Sequence, residues 1–116
     1  MKPILERSRP SVSVVDFSRE QLMARLRALL GGEILVSAWL IGSCARGDAK
    51  PWSDIDLILV RETDLPFVER PRLFPCLDEM GVPVDLLVYT PEEFSALENH
   101  PTSFWRQAQK ERLRLI

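Results

Sequence analysis

Apolar positions along this chain fall into two rhythms, one of period three to four and one of period two or denser. Leu22, Leu26, Leu29 and Leu30 recur on one helix face, Ser18 with Gln21 makes a capping box ahead of them, and Gly31-Gly32 stops the run. A first helix is therefore predicted from Ser18 to Leu30. Glu33–Ile41 then reads as a strand, and Asp54–Val60 as a second whose apolar density suits burial on both faces. Val82–Tyr89 reads as a third strand, apolar apart from Asp85 in its middle. Thr90-Pro91-Glu92-Glu93 opens a helix, with Thr90 as cap, Pro91 at the first position and Glu93 at the third; it ends near His100-Pro101. Ser103 caps a last helix in which Phe104, Ala108 and Leu115 share a face, with Trp105 beside them.

The remaining segments are less regular. Arg61–Asp64 is a polar turn, and Leu65–Met80 is helical but broken, because Pro71 and Pro75 cannot sit inside a regular helix. Met1–Val15, with Pro3 and Pro10, is an irregular arm or an edge strand. Strands alternating with helices predict an α/β (α+β) fold, a small mixed sheet flanked by helices, in one domain spanning residues 1–116.

The stretch Leu40–Val60 carries the chemistry. At a strand's period of two, Asp54 and Asp56 point to one side and Ile55 points into the core. Two carboxylates so close repel each other unless a proton or a cation lies between them. Oxygen-only ligands on a rigid strand suit Mg²⁺ or Mn²⁺ better than Zn²⁺, which favours His or Cys. Ahead of them, Gly42-Ser43 turns the chain sharply out of a strand, and Cys44–Gly47 makes one short helical turn. Free backbone N–H groups, the Ser43 hydroxyl and the Arg46 charge together offer a place for phosphate. The loop Asp48–Ser53 joins the anion end to the acid end, an arrangement suited to a nucleoside triphosphate carried with magnesium.

Composition narrows the setting. With 116 residues, 46% hydrophobic and 28% charged, the chain suits one compact soluble domain. It has neither a secretory leader pattern nor an apolar run long enough to span a bilayer, so a cytoplasmic location is expected. The formal net charge of −2 and the scatter of Lys and Arg among acids argue against a nucleic-acid template. Arg106, Lys110, Arg112 and Arg114, with Glu111 among them, read as a solvated helix face. Cys44 and Cys76 lack metal-type spacing with His100, so both are read as free, buried thiols and His100 as a loop residue. Trp52 reads as an anchor for its loop, Tyr89 as a strand-end core aromatic, and Cys44 as small filler rather than a nucleophile.

Gly-Ser, ten residues, then Asp-x-Asp, written here GSCARGDAKPWSDIDLILV, resembles the signature of the DNA polymerase β-like nucleotidyltransferase superfamily, in particular its minimal nucleotidyltransferase (MNT) branch. The resemblance covers Ile34 to about Phe94. It implies a third carboxylate on a later strand, a position matched by Asp85, and departs from this chain in the proline-broken Leu65–Met80. By the same resemblance Asp54 and Asp56 would bind two divalent ions, and Asp85 would complete one metal site and help to deprotonate an incoming hydroxyl. Gly42 and Ser43 would hold the outer phosphates of ATP, with Arg46 neutralising them.

The resemblance also bears on the acceptor. A chain this short has no evident second pocket, so a partner chain or a second copy must supply the recognition surface. Proteins similar to it act as antitoxins that add AMP to a partner HEPN-domain toxin, which makes protein adenylyl transfer the leading expectation. Two alternatives stand beside it: transfer of a nucleotide to a small molecule such as an aminoglycoside, and a non-catalytic module that inhibits its partner by contact alone. Phe104, Trp105, Ala108 and Leu115 are read first as core and second as a partner or dimer face.

Overall fold

The computed structural model describes residues 12–99 and 102–116, so residues 1–11 of the expected arm, together with His100 and Pro101, lie outside the described residues. Helix α1 (Arg19–Leu30) starts on a reciprocal capping box: the Gln21 N–H donates to Ser18 Oγ at 3.1 Å, and the Ser18 N–H donates to Gln21 Oε1 at 2.8 Å. Leu22, Leu26 and Leu30 form its buried stripe, the period-3.6 pattern of an amphipathic helix. Strand β1 (Ser37–Ile41) runs into the five-residue helix α2 (Gly42–Arg46), which Gly47 closes in the left-handed region with its N–H on the Ser43 carbonyl. Strand β2 (Ile55–Val60) pairs antiparallel with β1 and parallel with β3 (Val84–Tyr89). Helices α3 (Pro91–Asn99) and α4 (Ser103–Glu111) follow, and the two-residue strand β4 (Leu113–Arg114) closes the far edge in the order β3-β2-β1-β4.

The sheet is covered on both faces. Alternate residues of β2, Ile55, Leu57 and Leu59, pack with Leu22, Leu26 and Leu30 of α1. Ile58 and Val60 point the other way, against Trp105 and Ala108 of α4 and Phe94 of α3. The expectation of a strand buried on both faces therefore holds for Leu57–Val60. Each fully buried Leu or Ile contributes about 1.5–3 kcal/mol by leaving water. On the α4 side the packing is aromatic, with Trp105 edge-on to Phe94 at 5.4 Å and to Tyr89 at 6.4 Å between centroids.

Several boundaries differ from the sequence reading, each for a physical reason. β1 starts at Ser37 rather than Glu33, because its partner β2 ends at Val60 opposite Ser37 and leaves no ladder for residues 33–36 beyond one bond from the Val36 N–H. Ile34 is accordingly 81% exposed. The segment read as a broken helix consists of two 3₁₀ stretches, Phe67–Leu73 and Pro75–Met80. The tighter i to i+3 pattern tolerates Pro71 and Pro75, which an α-helix interior would not. The last helix is capped by Thr102, whose Oγ1 accepts the Trp105 N–H at 3.2 Å, and not by Ser103. Its buried face is Trp105 and Ala108; Phe104 is 55% exposed, and Leu115 lies past the helix in the cluster on the α1 side of the sheet.

Of the residues read as a solvated helix face, Arg112 and Arg114 lie past α4, Arg112 half-buried and Arg114 exposed. Arg112 lies 4.3 Å over the Trp39 ring and pairs with Glu98 at 2.8 Å, and Arg114 lies 5.1 Å over the same ring. Cys44 is buried as expected, whereas Cys76 is only half-buried; both are free. Ser13, of the described end of the arm, caps a 3₁₀ turn (Val14–Asp16) and donates its hydroxyl to the Pro51 carbonyl, which fastens the loop before β2. Among the described residues, no helix is long and apolar enough to cross a membrane.

Candidate active site

The sheet register builds the site. β1 ends with Ile41 opposite Asp56, and the parallel β2–β3 pairing sets Asp56 beside Asp85. The turn after β1 and the acids of β2 and β3 thus meet at one end of the sheet. Because Ile55 and Leu57 face α1, the pleat directs Asp56 to the α4 side. Gly42 is required where the two meet: its φ is +74°, and a Cβ there would fall 2.4 Å from Asp56 Oδ2. Only glycine adopts this backbone at no steric cost and lets a carboxylate lie against it.

A cavity of about 700 Å³ opens at this point. Gly42, Ser43, Arg46, Asp56 and Asp85 line it at one end, and Phe67, Leu87, Tyr89 and Phe104 form an apolar wall. Gln107 and Glu111 reach in from α4. Arg70 steadies the wall: this buried guanidinium pairs with Glu93 at 2.5 and 3.2 Å, donates to the Val88 carbonyl at 3.0 Å, and lies 5.7 Å from the Phe67 ring.

Electrostatics marks Asp56 as the centre. Burial pushes its carboxyl above the usual range, and Asp85 and then Asp54 add repulsion against the pull of Arg46. Arg46 is already engaged, 2.9 Å from Glu111 and 3.2 Å from Asp48. Glu111 also accepts the Gly42 N–H at 3.0 Å and the Gln107 amide at 3.2 Å. Burial raises the Glu111 carboxyl, but Arg46, Gln107 and Gly42 outweigh it and leave the group below its ordinary value.

Of the sequence-predicted residues, Gly42, Ser43, Arg46, Asp56 and Asp85 surround one cavity. Asp54 is exposed and precedes β2 instead of belonging to it; it lies outside the cavity lining, yet close enough to raise Asp56. Trp52 is 75% exposed, so burial does not anchor its loop. Burial first, then Asp56, pushes the Cys44 thiol up, and its Sγ faces the Asp54 carbonyl at 3.6 Å, an environment that disfavours a thiolate. Burial and Glu93 raise the Tyr89 phenol. Sequence reasoning missed Glu111, Gln107 and Phe67. Glu111 stood only as one acid in a basic segment, and nothing local ties position 111 to position 42.

The donor set can be weighed against a metal. Among the described residues no three His, Cys, Asp or Glu side chains form a ready-made cage. Asp56 and Asp85, adjacent by register and joined electrostatically by Asp54, supply only hard oxygen donors, and their mutual repulsion is what a divalent cation relieves. These residues fit a hard divalent ion.

The family described as "Nucleotidyltransferase domain" matches residues 19–115. The "Probable protein adenylyltransferase MntA" of Haemophilus influenzae is 40% identical over 62 residues, covering 50% of this chain and 54% of that protein. The chain thus spans about half the length of that curated relative. A crystal structure of a toxin–antitoxin with AMP-PNP superposes with a TM-score of 0.59 at 24% identity, covering 81% of this chain and 72% of the other. The structure of a tri-AMPylated Shewanella oneidensis HEPN toxin in complex with its MNT antitoxin gives 0.53 at 20% identity, covering 84% and 71%. These two likenesses show a shared fold.

Proposed function

The chain belongs to the nucleotidyltransferase domain family, and from that premise we propose that it transfers AMP from ATP to a hydroxyl of a partner HEPN-domain toxin and thereby acts as its antitoxin. The observation that carries this reading is the register that sets Asp56 beside Asp85 and against the Gly42 turn. The relatives, a probable protein adenylyltransferase and an MNT antitoxin in complex with a tri-AMPylated HEPN toxin, support the choice of nucleotide and acceptor.

In this reading Asp56 and Asp85, with Asp54 beside them, would hold divalent ions, Mg²⁺ or Mn²⁺, which would supply charge stabilisation to the transfer. The Ser43 hydroxyl and the amides of the Gly42 turn hold the outer phosphates, and Arg46 offsets their charge. The acceptor oxygen bonds to the α-phosphorus as the bond to pyrophosphate breaks, and exposed Asp85 takes the acceptor proton. Phe67, Tyr89 and Phe104 give the nucleobase an apolar wall. The protein's part is positioning and electrostatics, which a domain this small can provide. The one-domain organisation over residues 1–116 and a cytoplasmic setting go with this reading.

The test is intact-mass spectrometry of a HEPN partner incubated with this chain, ATP and Mg²⁺, beside an Asp54→Asn/Asp56→Asn variant. The partner is expected to gain the mass of one or more AMP groups with the wild-type chain and none with the variant. Neutralisation of the toxin by both chains with no mass gain would replace transfer with inhibition by contact.

A further inference from the structure

Glu111 stands in an odd place for an acid. It is the last residue of α4, where the helix dipole disfavours negative charge, and its pocket already holds Asp56 and Asp85. Its side chain is 10% exposed. Oε1 accepts the Gly42 N–H at 3.0 Å, while Oε2 accepts Arg46 Nη1 at 2.9 Å and Gln107 Nε2 at 3.2 Å. Gly42 and Arg46 are the donors that the proposed function assigns to phosphate. An anion of the chain itself is therefore seated on them, and Asp48 holds the other side of the same guanidinium at 3.2 Å.

We propose that Glu111 is an internal stand-in for phosphate, which holds the Gly42 and Arg46 donors in place and gives them up to the polyphosphate of an incoming nucleotide. This inference rests on the nucleotide-binding reading above. A phosphate oxygen and a carboxylate oxygen cannot share one N–H and one guanidinium edge at hydrogen-bond distance without strong repulsion, so the two occupancies exclude each other. Glu111 thereby acts as a built-in competitor that every phosphate ligand has to displace. A ligand with several phosphate charges outcompetes one carboxylate, and a nucleoside without phosphate gains nothing from these donors.

Glu111→Gln keeps the shape and one acceptor oxygen for Gly42 but removes the charge. In calorimetric titration with Mg²⁺, the variant is expected to bind AMP-PNP about tenfold more tightly than wild type, while adenosine binds both equally. Equal or weaker AMP-PNP binding by the variant overturns the proposal alone and leaves Glu111 as a tie between α4 and the turn. Failure of both chains to bind AMP-PNP overturns the nucleotide reading and this proposal together. A second measurement needs no variant: in wild-type protein labelled for NMR, AMP-PNP should shift the Glu111 side-chain carboxyl and the Gly42 amide in step. A Glu111 carboxyl that stays put at saturation overturns the proposal.

Discussion

Replacing Gly42 by alanine tests the geometry at the centre of the site. The residue sits at φ +74°, and a Cβ there would lie 2.4 Å from Asp56 Oδ2 and 3.2 Å from its Cγ. The left-handed backbone alone costs an L-residue about 1–2 kcal/mol. The 2.4 Å contact forces the Asp56 carboxylate off its rotamer, which adds about 0.5–1.5 kcal/mol. Together these predict a loss of about 1.5–3.5 kcal/mol, read as a lower urea midpoint at unchanged slope. The two parts separate in a double-mutant cycle, because Asp56→Ala removes Oδ2 and Cγ and leaves only Cβ, 3.4 Å away, which is ordinary contact. Gly42→Ala in the Asp56→Ala background should then cost only the backbone part, with a coupling of about 1 kcal/mol between the sites. In the transfer assay, Gly42→Ala alone should lose at least about tenfold in rate, because a displaced Asp56 no longer holds its place. Additivity within about 0.3–0.5 kcal/mol would show that the carboxylate does not lie against Gly42, and would refute the argument.

Arg70→Met should lower stability by about 2–3 kcal/mol in urea melts, since it leaves the Val88 and Leu65 carbonyls without the guanidinium and frees Glu93; a change under about 0.5 kcal/mol would show that the buried guanidinium does not hold this wall. The pH dependence follows from Glu111 and Glu93, both held below their ordinary value, Glu93 chiefly by Arg70. Such groups bind protons more weakly folded than unfolded, so their stabilisation is present above the ordinary Glu value of 4.5 and is lost as pH falls through the depressed folded values. Asp56, raised in the fold chiefly by burial, acts in the opposite sense and partly offsets the loss. The urea midpoint of wild type should therefore fall below about pH 4.5, and Glu111→Gln should flatten that fall; parallel curves for the two proteins would contradict the assignment.

Much of this molecule follows from local pattern. The α1 capping box, the apolar run of β2 and the reciprocal Thr90–Glu93 contacts that open α3 all rest on residues at most a few positions apart. Short-range steric and hydrogen-bond preferences settle such features, so the chain states them directly. The Gly42 turn and Asp56 were legible for the same reason, as side-chain types at fixed spacing, whereas Asp85 was singled out by the family resemblance and not by spacing. What pattern misjudged had more than one source. The start of β1 depended on where β2 ends, the proline-broken segment took 3₁₀ geometry, and β4 has two residues, too few to show any period.

The sequence by itself determined α1, α3, the core of β2 with its two faces, the acids and the glycine turn, because each is a matter of neighbours along the chain. Only the tertiary structure decided that Asp85 lies beside Asp56, that Phe104 turns outward while Trp105 turns in, and that Glu111 closes onto Gly42 across 69 positions. Contacts at that separation depend on which strands pair and on which face α4 packs, and those are set by burial of the whole core rather than by any segment of it.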